Sequence, residues 1–268
     1  MARTRLIKLG HRIYADFLMP SRLPTYSRFL EEVLRRGYTI CSVARFWDKI
    51  NDGQVHPGDK YFVLRHDVDT DVATAKEMWQ IERALGIRSS YYFRLSTLDI
   101  PFMQEVAHSQ GEASYHYEEL ASVAKQKRLK SREEVLREMP GIRKLFHEHL
   151  TILRNKSGLP LNIVASHGDF VNRKLRTYNW EILKDSNFRK TVGVDLEVYD
   201  DDFVHNISSR HSDNLYPSFW TPGNPLGAVR DGSPKVQVLV HPRHWRSNPQ
   251  VNFVDNMYRV FEGVRYSL

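Results

Sequence analysis

The chain has 268 residues, 41% of them apolar and 12% aromatic, which excludes an intrinsically disordered polypeptide and is enough for one substantial core. Its 39 Lys and Arg against 32 Asp and Glu give +7, and this excess is dispersed. An anionic partner is therefore plausible, a phosphorylated sugar, lipopolysaccharide or a membrane surface ahead of nucleic acid, since only Lys125 to Lys130 forms a basic cluster. No apolar run approaches the roughly 20 residues that span a bilayer, and the single Cys41 excludes an internal disulfide and reads as a core residue.

In chain order, Pro20 and Pro24 close an N-terminal helical arm, about 1–24. Arg12, Asp16 and Arg22 interrupt any signal-peptide core, so a cytoplasmic location is expected. Leu6, Leu9, Ile13, Phe17 and Leu18 form one apolar face, expected to dock on the chain's own core, with peripheral membrane association as its other use. Helical spacing over 26–36 ends at Gly37, residues 38–43 read as a strand, and a short helix follows to Ile50. After the strand at 61–64 come a helix over 72–85, a strand over 89–95, a helix over 100–109 and a short strand over 112–116. This β-α-β alternation predicts parallel strands with right-handed crossovers. Residues 131–156 read as a helical region interrupted by Pro140 and Gly141, and Lys125 to Lys130 as a solvated basic helix end. A strand over 161–166, a helix over 173–183, strands over 190–196 and 236–240, and a helix over 250–262 complete the pattern. Residues 198–235, dense in Asp, Ser, Asn, Pro and Gly, read as an irregular excursion.

Four apolar runs end in chemistry-bearing side chains: Asp67 and Asp69 after Leu64, His116 after Ala113, His167 after Ala165, and His241 after Val240. Parallel strands would bring all of these to one end of the sheet, where active sites of α/β folds lie. Asp67 and Asp69, two apart, share a side of a regular strand, and converging carboxylates call for a cation. The competing reading of Asp67, Asp69 and Asp71 is a solvated turn capping the next helix. Imidazole and carboxylate with an open position make a hydrolytic divalent metal site.

These motifs resemble the polysaccharide deacetylase superfamily of the NodB-homology type, and within it bacterial members encoded among surface-polysaccharide genes. Asp67-Val-Asp69 is similar to the first motif of that family, Glu112 to Glu118 to the second, Ser166-His167-Gly168 to a further active-site motif, and Val238 to Trp245 to the last. The resemblance covers roughly residues 26–262. It implies an α/β fold, a distorted (β/α) barrel with seven or so parallel strands, taken as a single domain over 1–268. It also implies an Asp67 general base, a His241 general acid, and a divalent metal, zinc first among the candidates, held by Asp69 and His116. The family's second motif carries a further histidine four residues on, where this chain has Leu120; of the substitutes His167, Glu118 and Glu119, His167 fits best because it closes a neighbouring strand.

The implied activity is removal of an N-acetyl group from a sugar or glycan precursor in O-antigen or capsule assembly, with a nucleotide-linked, lipid-linked or short glycan as substrate and no nucleic acid partner. The rivals are an inactive glycan-binding relative, and a hydrolase of another amide or of a glycosidic bond. Arg65, His66 and Arg243 are candidates to orient Asp67 or His241, and Glu118 to support the metal. Trp220, Trp245, Tyr115 and Tyr117 are candidates to stack on sugar, Trp220 from an exposed loop.

Overall fold

A computed structural model describes residues 2–267. The N-terminal arm is helix α1 (Ala2–Ile13) continued by a π-helical turn over Tyr14–Leu18. Then follow α2 (Leu23–Arg35), β1 (Thr39–Cys41), α3 (Val43–Asn51), β2 (Tyr61–Val68), α4 (Val72–Ala84), β3 (Ser90–Phe93), α5 (Ile100–His108), β4 (Glu112–Tyr117), α6 (Glu119–Gln126) and α7 (Arg132–Ser157). The second half contains β5 (Ile163–Ser166), α8 (Phe170–Leu175), α9 (Ser186–Val192), β6 (Leu196–Glu197), α10 (Asp201–Val204), β7 (Ser209–Asp213), β8 (Trp220–Thr221), α11 (Pro225–Arg230), β9 (Lys235–Val240) and α12 (Pro249–Ser267).

The strands form one curled sheet in the order β6-β5-β4-β3-β2-β9-β7-β8, with β1 also paired to β2. Every pairing is parallel except β7 with β8. Among the described residues no pairing joins β6 to β8, so the curl is a barrel left open at one seam. β2 is long enough to pair with β1 through Tyr61–Val63 and with β3 through Arg65–Val68 on one edge, and with β9 on the other.

Strand alternation sorts the side chains of β2. Phe62 and Leu64 enter a core that includes Tyr26, Phe29 and Trp245, and Val68 enters the larger core that includes α5, α6 and α7. Tyr61 and Val63 instead meet Cys41, Tyr92, Ile163, Ala165 and Leu196. Side chains from non-neighbouring strands can meet in this way only on the concave side. Arg65 and Asp67 continue that inner row, so the barrel bottom is apolar and its top ionic.

Three sequence expectations are corrected. α7 runs unbroken through Pro140 and Gly141, because its buried stripe of Val135, Met139, Ile142, Phe146, Leu150 and Leu153 outweighs one missing N–H. The expected helix over 173–183 and strand over 190–196 are instead α8, a 3₁₀ segment (Asn179–Lys184), α9 and the two-residue β6. Asp185 starts α9 by accepting the N–H groups of Asn187 and Phe188, and Gly193 ends it in the left-handed conformation. The stretch 198–235 also carries regular structure, including β7, which pairs in parallel with β9.

Candidate active site

At the carboxyl ends of the strands, three side chains each offer a donor atom within 4.8 Å of the others: Asp69, His116 and His167. His116 Nε2 lies 3.3 Å from Asp69 Oδ1, and His167 Nε2 lies 3.7 Å from the same oxygen. The tetrahedral edge expected from zinc bonds of about 2.0–2.1 Å is about 3.3 Å, so the spacing suits a shared cation. Asp69 Oδ1 is buried with no hydrogen-bond partner, a costly state that a cation would relieve. Burial alone would favour a neutral acid, but the flanking His167 and His116 outweigh it and hold the Asp69 carboxyl well below its usual range.

The surroundings fix these donors. His116 Nδ1 donates to the carbonyl of Ala165 at 3.0 Å, which leaves Nε2 with its lone pair toward the cluster. His167 Nδ1 lies 3.1 Å from Glu118 Oε2, an ion-pair approach whose angle falls short of a hydrogen bond. Arg94 grips that same carboxylate with Nη2 at 2.7 and 2.8 Å. Burial is opposed by His167 and Arg94, and the Glu118 carboxyl is lowered to about 2. Leu120, by contrast, is fully buried on α6 in the main core and does not face the cluster.

Two further pairs flank the donors. Arg65 reaches along its own strand and clamps Asp67 through Nε and Nη2, both at 2.7 Å. Although burial favours the protonated acid, the guanidinium outweighs it and keeps Asp67 below the usual carboxylate range. On the other side, His241 Nδ1 donates to Asp213 Oδ1 at 2.7 Å, with Nε2 left 4.0 Å from Asp69 Oδ2. Burial pulls the imidazole down, but Asp213 overrides it and raises His241 to about 9. Asp213 also accepts from the backbone N–H of His241 and from Trp245 Nε1, and it lies 3.0 Å from His244 Nδ1.

Of the residues singled out from sequence, Asp67, Asp69, His116, His167, His241, Arg65 and Glu118 come together here. The others do not reach the expected positions. His66 lies on the convex side of β2, with Nδ1 3.0 Å from Ser90 O, Nε2 2.9 Å from the Tyr26 hydroxyl, and its ring stacked on Tyr91. Period-2 alternation explains this: if Asp67 points inward, so does Arg65, and His66 cannot. The same parity puts Tyr115 and Tyr117 in the main core against Phe146, where Tyr115 bonds Glu119, so neither stacks on sugar. Trp245 is buried and holds Asp213. Trp220 is not exposed but half-buried between Phe29 and Trp245. Arg243 lines the cleft yet bonds Asp16, Asp255 and Asn256, tying the N-terminal arm to α12. Asp71 is the helix cap, accepting the N–H of Thr74, so the turn reading holds for it alone of the three acids.

Sequence reasoning missed Asp213, Arg94 and an aromatic pair. A cavity of about 700 Å³ extends from His167 past Tyr199 to Tyr178, Trp180 and Lys184. The Tyr178 and Trp180 rings are nearly parallel at 6.0 Å, and Lys184 Nζ sits 4.2 Å from the centre of the Trp180 ring.

No family model matches the chain, and no curated protein matches it. Among solved structures, the chain is similar to a Streptococcus pyogenes deacetylase in complex with acetate, at 10% identity over 87% of this chain and 85% of that one, with a TM-score of 0.45. It is also similar to a CE4 family pseudoenzyme from Bacillus anthracis (10% identity, 78% of this chain, TM-score 0.41) and to a peptidoglycan deacetylase from Bacillus subtilis (13%, 77% of this chain and 87% of that one, 0.38). The match spans 62% of the pseudoenzyme's length.

Proposed function

We propose that the chain is a metal-dependent hydrolase that removes an N-acetyl group from a sugar or glycan precursor during assembly of a bacterial surface polysaccharide. The observation that carries this reading is the placing of Arg65–Asp67 and Asp213–His241 beside one Asp69–His116–His167 cluster. A base kept ionised and an acid kept protonated near neutral pH are what amide hydrolysis needs.

Asp69, His116 and His167 would hold the divalent ion, zinc being the first candidate from the two nitrogens and one oxygen. When bound, it would polarise the acetamide carbonyl and acidify water. Asp67 accepts the proton of the attacking water, and Arg65 keeps that carboxylate charged and aimed. His241 donates its Nε2 proton to the departing amine nitrogen, which cannot leave as an anion; the charge of Asp213 keeps that proton in place. The Tyr178–Trp180 pair supports a carbohydrate ligand, since parallel aromatic rings in a polar cavity offer a flat apolar face.

The test combines metal content with acetate release from a panel of N-acetylated mono- and oligosaccharides. One equivalent of divalent metal, lost in Asp69→Ala and His116→Ala, together with acetate release is the expected result. A folded chain that takes up metal but releases no acetate from any member overturns deacetylation. A chain that binds glycan but never metal is the inactive carbohydrate-binding relative.

A further inference from the structure

α12 is inside-out for a surface helix. Its polar residues turn inward: Asn252 donates to Asp16 O at 2.8 Å, Asn256 to Asp16 Oδ2 at 2.9 Å, Asp255 pairs with Arg243, and Glu262 lies 3.1 Å from Lys125 Nζ. Its apolar residues turn out, with Phe253, Met257, Val260 and Phe261 between 54% and 65% exposed. α1 behaves alike: Leu6, Leu9 and Ile13 are exposed, while Arg12 faces inward to Asp16 and to Asn256 of α12. The expectation that this arm docks its apolar face on the core is therefore wrong. Buried ion pairs hold it by its polar side, which leaves the apolar side without a partner. Adjoining helices that both expose an apolar face form a surface far beyond the scattered apolar residues of an ordinary exterior.

Charge identifies the occupant. Among the described residues, the exposed charged side chains on these two helices that stand outside ion pairs are both cationic, Lys8 and Arg265, because Asp255 and Glu262 turn inward and Arg259 pairs with Asp255 and lines the cleft beside Asp69. No helix described is long and apolar enough to cross a membrane, so insertion end-on is not the use of this face. An apolar face accompanied by cations and by no exposed acid suits helices lying in the plane of an anionic bilayer. A cavity of about 590 Å³ runs from Asp69 and Glu118 out to Val254 and Tyr258 on α12, so the site opens beside this face.

We infer that α1 and α12 form a docking face for an anionic lipid surface, with the mouth of the site held against it. The test is sedimentation of the full chain with vesicles of phosphatidylglycerol and phosphatidylcholine against vesicles of phosphatidylcholine alone. The expected result is salt-sensitive binding to the anionic vesicles only, reduced at least tenfold in Met257→Ser/Phe261→Ser and in Lys8→Glu/Arg265→Glu. Unchanged circular dichroism and melting would show that these variants fold. Absence of vesicle binding by the parent chain, or equal binding by the apolar double variant, overturns the inference. So does a dimer that the same variant disperses in a chain that ignores vesicles, since the face then belongs to a second copy. Vesicle binding needs no turnover and must survive Asp69→Ala, so it stands or falls apart from deacetylation.

Discussion

Replacing Asp213 with Asn isolates the electrostatic half of the proposed acid. The amide keeps the shape and an acceptor for the His241 ring, but removes the charge that holds His241 near 9. If the imidazole returns to its ordinary value of about 6.5, its protonated fraction at pH 8 falls from about 0.9 to about 0.03, a roughly 30-fold loss of competent acid. The rise of His241 from its ordinary value to about 9, the net of burial against Asp213, Asp69 and Asp67, corresponds to roughly 3 kcal/mol. Because the folded pKa is raised, this stabilisation is fully present below about pH 6.5 and is lost as pH rises through about 9. The variant should therefore melt lower at pH 6 and approach the parent near pH 10. Imidazole NMR titration reads the pKa directly, and acetate release against pH should show the alkaline limb move down by about two units. A His241 pKa within half a unit of the parent would refute the assignment of Asp213 as its counter-charge.

Further outcomes follow from the same geometry. Leu120→His, which completes on paper the two-histidine motif of the deacetylases that the sequence resembles, should add no metal affinity by equilibrium dialysis and should destabilise the chain by about 2–4 kcal/mol in urea unfolding, since position 120 is core. His167→Ala should abolish stoichiometric metal binding, while Glu118→Gln should weaken it by about 10–100-fold, as loss of a partner behind a ligand does. Arg65→Met leaves Asp67 charged, buried and unpaired, at a cost of about 3–5 kcal/mol; adding Asp67→Asn should recover most of it in a chemical denaturation cycle. Trp180→Ala should raise KM for oligosaccharides by about tenfold while leaving kcat and metal content unchanged.

The alternating sequence pattern was enough to reveal the parallel sheet and the end of it that carries the chemistry. Hydrophobic runs mark β2, β5 and β9 because both of their faces are covered, and each announces the polar side chain that follows. Asp213 was illegible for the converse reason. Its strand, Ser209-Arg-His-Ser-Asp213, has no apolar residue, and it is recognised as a strand only through its pairing with β9. The outward placing of His66, Tyr115 and Tyr117 was legible, since side-chain parity along β2 and β4 separates inward from outward positions. The positions of Trp220, Trp245 and Arg243 were not, because their partners lie on α2, β7, the N-terminal arm and α12, far away in the chain.

The Arg65 clamp on Asp67 spans only two residues of a single strand. A counter-ion borrowed from a neighbouring strand would hold its distance only as well as the two strands hold their register. Housed on one extended segment, the two groups take their separation from that segment alone. The proposed base thus carries its own electrostatic reference within one strand.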